Sequence, residues 1–160
     1  MLIREEAHRD AEAVYAVVSS AFGQPAEAQL VRDLHAAGDA VVALVAEDES
    51  GIIAHVLLSR MAAPFPALAL APVSVSPGRQ RAGIGYALIR ESLCRAAGDH
   101  WAAVFVLGDP NYYGRFGFST AVASGFSSPY TGDHFMGLAL SGTMPTVTGQ
   151  LRHAPAFSAL

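Results

Sequence analysis

The run with the clearest chemical meaning in this chain is Gln80-Arg81-Ala82-Gly83-Ile84-Gly85, which stands between a strand pattern and a helical one. A helix starting there presents unpaired backbone N–H groups and the positive end of its dipole, a setting suited to a pyrophosphate. Gly83 and Gly85 let the main chain approach such a group closely, while Arg79 and Arg81 add positive charge. Two nucleotide-binding readings fail on residue type. A dinucleotide fingerprint needs a small residue where Leu88 stands and an acidic residue ending the next strand. A hydrolase phosphate loop needs a lysine, and all 10 basic residues here are arginine. The same absence excludes Schiff-base chemistry.

Other reactive side chains carry less pattern. Cys94 is the only cysteine, so there is neither an internal disulfide nor a multi-thiolate metal site, and no cationic partner marks it as a reactive thiol. His8, His35, His55, His100, His134 and His153 show no metal-ligand spacing, so no metal is expected. Ser74 and Ser124 lack the Gly-x-Ser-x-Gly turn of a serine hydrolase. His55 is of the residue type most often used as a general base, and Glu47 ends a strand nearby. Each has a plain structural reading beside the catalytic one, as a packed histidine and a turn carboxylate.

The elements that must position these groups follow from periodicity. Residues 2–4 read as a first strand. Asp10 is placed to cap a helix whose stripe is Ala13, Val14, Val17, Val18 and Ala21. A second helix starts near Ala26, repeats Leu30, Val31 and Leu34, and stops at Gly38. Residues 41–47 and 52–59 form a hairpin around Asp48-Glu49-Ser50-Gly51. In the next strand, 68–76, Pro72 cannot donate to a ladder and predicts a bulge or splay. A helix over 84–97 buries Leu88, Ile89 and Leu93, and a strand over 101–107 follows. Asp109-Pro110 opens a short helix that Gly117 closes. Residues 135–140 and 147–152 read as final strands. The whole is one mixed α/β domain over residues 1–160.

Composition narrows the class. Hydrophobic residues make up 52% of the 160 and charged ones only 15%, which favours a compact globule and is compatible with a homodimer. A net charge of −4 does not suit nucleic acid. Glu5 and Glu6 come too early for a signal peptide, and no apolar run is long enough for a bilayer, so neither membrane nor export is expected and a cytoplasmic protein is.

Gln80-x-x-Gly83-x-Gly85 resembles the Gln/Arg-x-x-Gly-x-Gly/Ala signature of the GNAT superfamily of acetyl-CoA-dependent N-acetyltransferases. Leu70-Ala71-Pro72-Val73-Ser74-Val75-Ser76-Pro77 resembles that family's fourth strand, and Tyr112-Tyr113-Gly114-Arg115-Phe116-Gly117-Phe118 its later tyrosine and Gly-Phe motif. Leu107-Gly108-Asp109-Pro110-Asn111-Tyr112-Tyr113 is similar to a bacterial subgroup, the YhbS-like acetyltransferases. The likeness runs from Leu2 to about Phe118.

The resemblance implies a mixed, mostly antiparallel sheet of six to seven strands, splayed between the fourth and fifth, with about four flanking helices. It implies acetyl-CoA as co-substrate, its pantetheine arm along the main chain at Val73 and Val75 and its pyrophosphate on Gln80, Arg81, Ala82, Gly83, Ile84 and Gly85, with Asn111 adjoining. Tyr113 stands where the family's acid stands, four residues before Gly117, with Tyr112 as the alternative. Glu27, in the region bordering the acceptor site in relatives, joins His55 as a candidate base, and an ordered water chain is the alternative to both. The acceptor is an unidentified amine of a small molecule or peptide. Phe22, Phe65, Phe126, Tyr130 and Phe135 suit either an acceptor wall or a core. A catalytically silent CoA-binding module is the rival to an enzyme.

Overall fold

The computed structural model describes residues 1–160. Its frame is one sheet of six strands lying side by side in sequence order. They are β1 (Leu2–Glu5), β2 (Ala40–Asp48), β3 (Gly51–Met61), β4 (Ala67–Val75), β5 (Ala103–Leu107) and β6 (Phe135–Ala139). The helices are α1 (Ala11–Phe22), α2 (Ala26–Ala36), α3 (Ile84–Gly98) and the short α4 (Pro110–Tyr113) and α5 (Thr120–Ala123). All strand pairs are antiparallel except β4–β5, where α3 serves as the crossover that makes a parallel pair. No helix is long and apolar enough to cross a membrane.

β2 and β3 are buried on both faces, which is why they read as continuous apolar runs rather than alternating ones. Leu44, Ala46, Val56 and Leu58 pack with Leu88, Ile89 and Ala96 of α3. Val45 and Leu57 pack with Val14, Val18, Leu30 and Leu34 of α1 and α2. Each large aliphatic group buried in this way contributes about 1.5–3 kcal/mol. Of the aromatic residues that suited either a wall or a core, Phe65, Phe126 and Phe135 are core, with ring centroids 6.3, 6.0 and 5.8 Å from that of Phe105. Phe22 and Tyr130 are exposed.

Two expectations are corrected. Asp10 precedes α1 but does not cap it with its side chain. Its carboxylate turns back to accept from the Ala7 N–H at 2.6 Å and from both terminal nitrogens of Arg4 at 2.7 and 3.0 Å. A bidentate guanidinium outcompetes a lone helical N–H. Residues 147–152 are not a strand of the sheet; they make only isolated bridges, Gln150 to Ser127 and Arg152 to Ala62. Pro145 and Gly149 interrupt the alternation that a longer strand needs.

The feature that shapes the site is the short pairing of β4 with β5. It covers only Ala67–Ala103, Leu68–Val104 and Ala69–Phe105. β4 continues on β3 to Val75, while its other edge parts from β5. At the parting the β3–β4 register slips: Leu58 faces Leu70 and Val56 faces Val73, so β4 carries one extra residue at Ala71-Pro72. The bulge implied by Pro72 is therefore present.

Candidate active site

The loop from β4 to α3 is held at both ends. The Gln80 amide donates to the Val75 carbonyl at 3.1 Å, fastening the loop to the end of its own strand. Arg79 donates to Asp48, and to Ser50 Oγ at 3.2 Å, fastening it to the β2–β3 hairpin. Hydrogen bonds from Ser50 and Arg79 hold the Asp48 carboxyl down at about 2. Arg79 thus has a carboxylate partner in the fold, a pairing with no counterpart in the local sequence. Arg81 is exposed and makes no ion pair, and its φ of 65° lies in the left-handed region that few side chains adopt.

α3 then opens at Gly83, whose φ of 80° only glycine adopts without strain. The helix has no side-chain cap and no acidic residue in its first turn. Its leading N–H groups are left for an anion, and nothing there repels one. Gln80, Arg81 and Ala82 are exposed, whereas the Ile84 side chain is buried against the α3 core, so that residue has only its main chain to offer. Val73 and Val75 lie on the freed stretch of β4, half-buried against the same core.

α4 is set by its own sequence. The Asp109 carboxylate accepts from the Asn111 N–H at 2.9 Å, Pro110 takes the first turn, and Gly117 ends the segment at φ 99°. The Asn111 side chain is exposed beside it. Tyr112 and Tyr113 diverge, with centroids 5.0 Å apart and planes at 85°. The Tyr112 hydroxyl reaches the start of α3: a methyl group on Gly85 would stand 3.5 Å from it and 3.5 Å from Val75 Cγ2. Tyr113 lies instead on Gly108, just past the end of β5, where an added Cβ would come 2.5 Å from Tyr113 Cε2. Phe118 meets its ring edge-on at 5.9 Å. Burial, reinforced by Tyr112, pushes the Tyr113 phenol up to about 12. Tyr112 is also raised by burial, against the opposing charge of Arg115, whose guanidinium lies 4.8 Å over its ring.

The candidate bases fall in different settings. Glu27 accepts from the Gln24 amide at 3.0 and 3.1 Å where α1 gives way to α2. Glu47 is bound by Arg4 at 2.8 and 3.2 Å, which lowers its carboxyl. His55 is wholly buried on β3, with Nε2 2.7 Å from Glu6 Oε1. The same oxygen lies 3.2 Å from Nε2 of the half-exposed His35. Burial pushes the Glu6 carboxyl up, but the hydrogen bonds from His35 and His55 outweigh it and hold it at about 2. His35 is raised, chiefly by its bond to Glu6. Neither Glu6 nor His35 stood out from sequence as part of a site, because the group joins residues 29 and 49 positions apart, with no local signal. No group of three or more His, Cys, Asp or Glu is arranged to hold a metal.

An acetyltransferase (GNAT) domain model matches residues 3–121. The chain is 37% identical over 125 residues to an uncharacterized N-acetyltransferase, YhbS, of Escherichia coli strain K12, covering 76% of this chain and 75% of that one. It is 33% identical to the uncharacterized N-acetyltransferase YjhQ of the same organism, over 91% of this chain and 87% of YjhQ. Among solved structures, YhbS from Escherichia coli in complex with CoA matches with a TM-score of 0.91 and 32% identity, over 98% and 91% of the two chains. A GNAT family acetyltransferase from Brucella melitensis in complex with acetyl-CoA matches at 0.84 and 33%, over 98% and 97%. The six-stranded mixed sheet, with its one parallel pair β4–β5, is thus the fold of these relatives. The chain belongs to the GNAT acetyltransferase family.

Two outcomes follow from this geometry. Gly108→Ala forces Tyr113 off its seat and costs about 2 kcal/mol by overpacking, which urea unfolding measures. Glu6, being depressed in the fold, contributes stability that is complete above its unfolded value of 4.5 and lost as pH falls toward 2. The slope of unfolding free energy against pH in that window becomes shallower in Glu6→Gln, whatever the variant's stability at neutral pH.

Proposed function

We propose that the protein transfers the acetyl group of acetyl-CoA to a primary amine of a small molecule or peptide, by direct attack within a ternary complex. The observation that carries this reading is the parting of β4 from β5 after Ala69, beside an uncapped α3 N-terminus. That cleft takes an extended arm against the β4 main chain at Val73 and Val75, with a pyrophosphate on residues 80–85. Recognition through N–H groups explains how a chain without lysine holds a highly charged ligand. CoA and acetyl-CoA in the two relatives support the same donor.

The chain's own groups divide the chemistry. Tyr113, on Gly108 at the end of β5, holds its proton at ordinary pH and gives it to the departing thiolate. Tyr112, beside Gly85 and Val75, lines the arm. Asn111 adjoins it from α4. A base must take the proton of the ammonium form of the acceptor; His55 fits that task better than Glu27, because it lies in the strand row that runs to the cleft.

CoA added at a hundred times its dissociation constant stabilises the fold by about 2.7 kcal/mol, read as a thermal shift. Release of thiol from acetyl-CoA is then followed with a panel of primary amines. Tyr113→Phe lowers kcat about 100-fold at unchanged KM for acetyl-CoA, while Tyr112→Phe acts mainly on that KM. A Tyr113→Phe protein with full turnover removes Tyr113 from the mechanism. Tight CoA binding with no acceptor in the panel turned over favours the silent binding module.

A further inference from the structure

The polar group beneath the sheet has a feature that packing does not explain. Glu6 is ionised down to about pH 2, so its Oε1 can only accept. Both histidines that touch it must therefore donate, His55 from Nε2 at 2.7 Å and His35 from Nε2 at 3.2 Å. A neutral His55 donating from Nε2 carries its lone pair on Nδ1. That atom is buried and has no partner. His55 is directly opposite Ser74 in the β3–β4 register, and the Ser74 hydroxyl is likewise buried without a partner. Ser74 lies on the stretch of β4 that no longer pairs with β5. One strand spacing, about 4.8 Å, separates the two strands. A bare acceptor and an unpartnered hydroxyl, not bonded to each other, thus stand on facing positions of β3 and β4, the second of them on the freed stretch of β4.

We infer that His55 Nδ1 is the proton acceptor for the incoming amine, reached over the Ser74 hydroxyl, and that Glu6 is the positioning residue that keeps Nδ1 bare. This rests on the acetyl-transfer reading above. The balance is simple. The ammonium form of the acceptor gives one proton to Nδ1, and the resulting imidazolium is stabilised by the ionised Glu6 through Nε2–H. The free amine forms the C–N bond as the C–S bond breaks. The thiolate takes the proton of Tyr113, and the phenolate recovers one from the nitrogen just acetylated. One proton is released per turnover, from His55. Glu6 itself does not take a proton: a carboxyl held at about 2 is too weak a base, and its part is orientation and charge.

His35 has a different part. It is 41% exposed at its side chain, and with Glu6 it lines a cavity of about 640 Å³ between α1 and α2. His8, Glu12, Tyr15 and Arg32 are the other titratable groups of that wall. From there His35 supplies a second donor to Glu6 beside that of His55. An ionised carboxylate this deeply buried is costly unless its hydrogen bonds are filled. Both donors thus help one carboxylate to stay charged under the sheet.

The test is nitrogen-15 spectroscopy of the full chain with labelled histidine, the His55 signals assigned by their loss in His55→Gln. The expected pattern for His55 is protonated Nε2 and unprotonated Nδ1, with the Nδ1 resonance moving when CoA is added. Glu6→Gln, whose amide can also donate, mixes or inverts the two tautomers while the fold and the CoA thermal shift persist. A proton found on Nδ1 in the wild type, or an unaltered tautomer in Glu6→Gln, overturns the inference. So does an Nδ1 resonance indifferent to saturating CoA. Where an amine of the panel is acetylated, His55→Gln lowers kcat about 100-fold at constant KM for acetyl-CoA. Glu6→Gln then adds nothing in the His55→Gln background, since its effect passes through that ring; an additive loss marks Glu6 as merely structural. Failure of the acetyl-transfer reading shows separately, as absence of a CoA thermal shift in a protein whose His55 tautomer is as described.

Discussion

β4 and β5 begin as hydrogen-bonded parallel neighbours and stop pairing after three residues. A strand edge inside a domain carries N–H and C=O groups that must find partners, so a parting in mid-sheet is costly unless something extended completes it. Pro72, at the bulge, lowers that cost by having no N–H to strand. The bulge also shifts β4 by one residue relative to β3, so that Val73 and Val75 face the α3 core and Ser74 faces the opposite side. β5 ends at Gly108, where the absence of a side chain admits the Tyr113 ring. The parting thus sets the cleft, the facing of its near wall and the seat of its tyrosine.

Charge around the cleft serves in part to hold the loop. Arg79 is committed to the hairpin turn through Asp48 and Ser50, and Gln80 to the end of β4. What remains for an anion is main chain, with Arg81 as the one unpaired guanidinium of the loop. A loop fastened at both ends has little freedom left to lose.

The local signals were readable from sequence, and the distant pairings were not. The glycine loop, the bulge at Pro72, the cap at Asp109 and the terminator at Gly117 all rest on interactions within a few residues, which leave a spacing in the chain. The Arg79 pairing was not legible because its partner lies 31 residues away, across a hairpin turn. Asp10 failed as a cap because Arg4, on a strand, took its carboxylate. Residues 147–152 have strand-forming residue types, but the pairing they would need is decided by neighbours that periodicity does not reveal. Glu6 was passed over for the same reason: early in the chain and alone, it reads as an exposed acid, and only the sheet brings two histidines to it.

The two faces of the sheet accordingly do different work. Toward α3 the packing is almost purely apolar. Toward α1 and α2 the apolar cluster is interrupted by His55, Ser59 and Ser74, all buried. Apolar residues of similar volume commonly serve stability as well as a buried ionic group does. A group of this kind is therefore better accounted for by its position than by its strength. His55 and Ser74 share one row of the sheet, and that row ends at the only stretch of β4 with a free edge. A network placed for stability alone could sit anywhere under the two helices; this one sits where β4 has been separated from its neighbour.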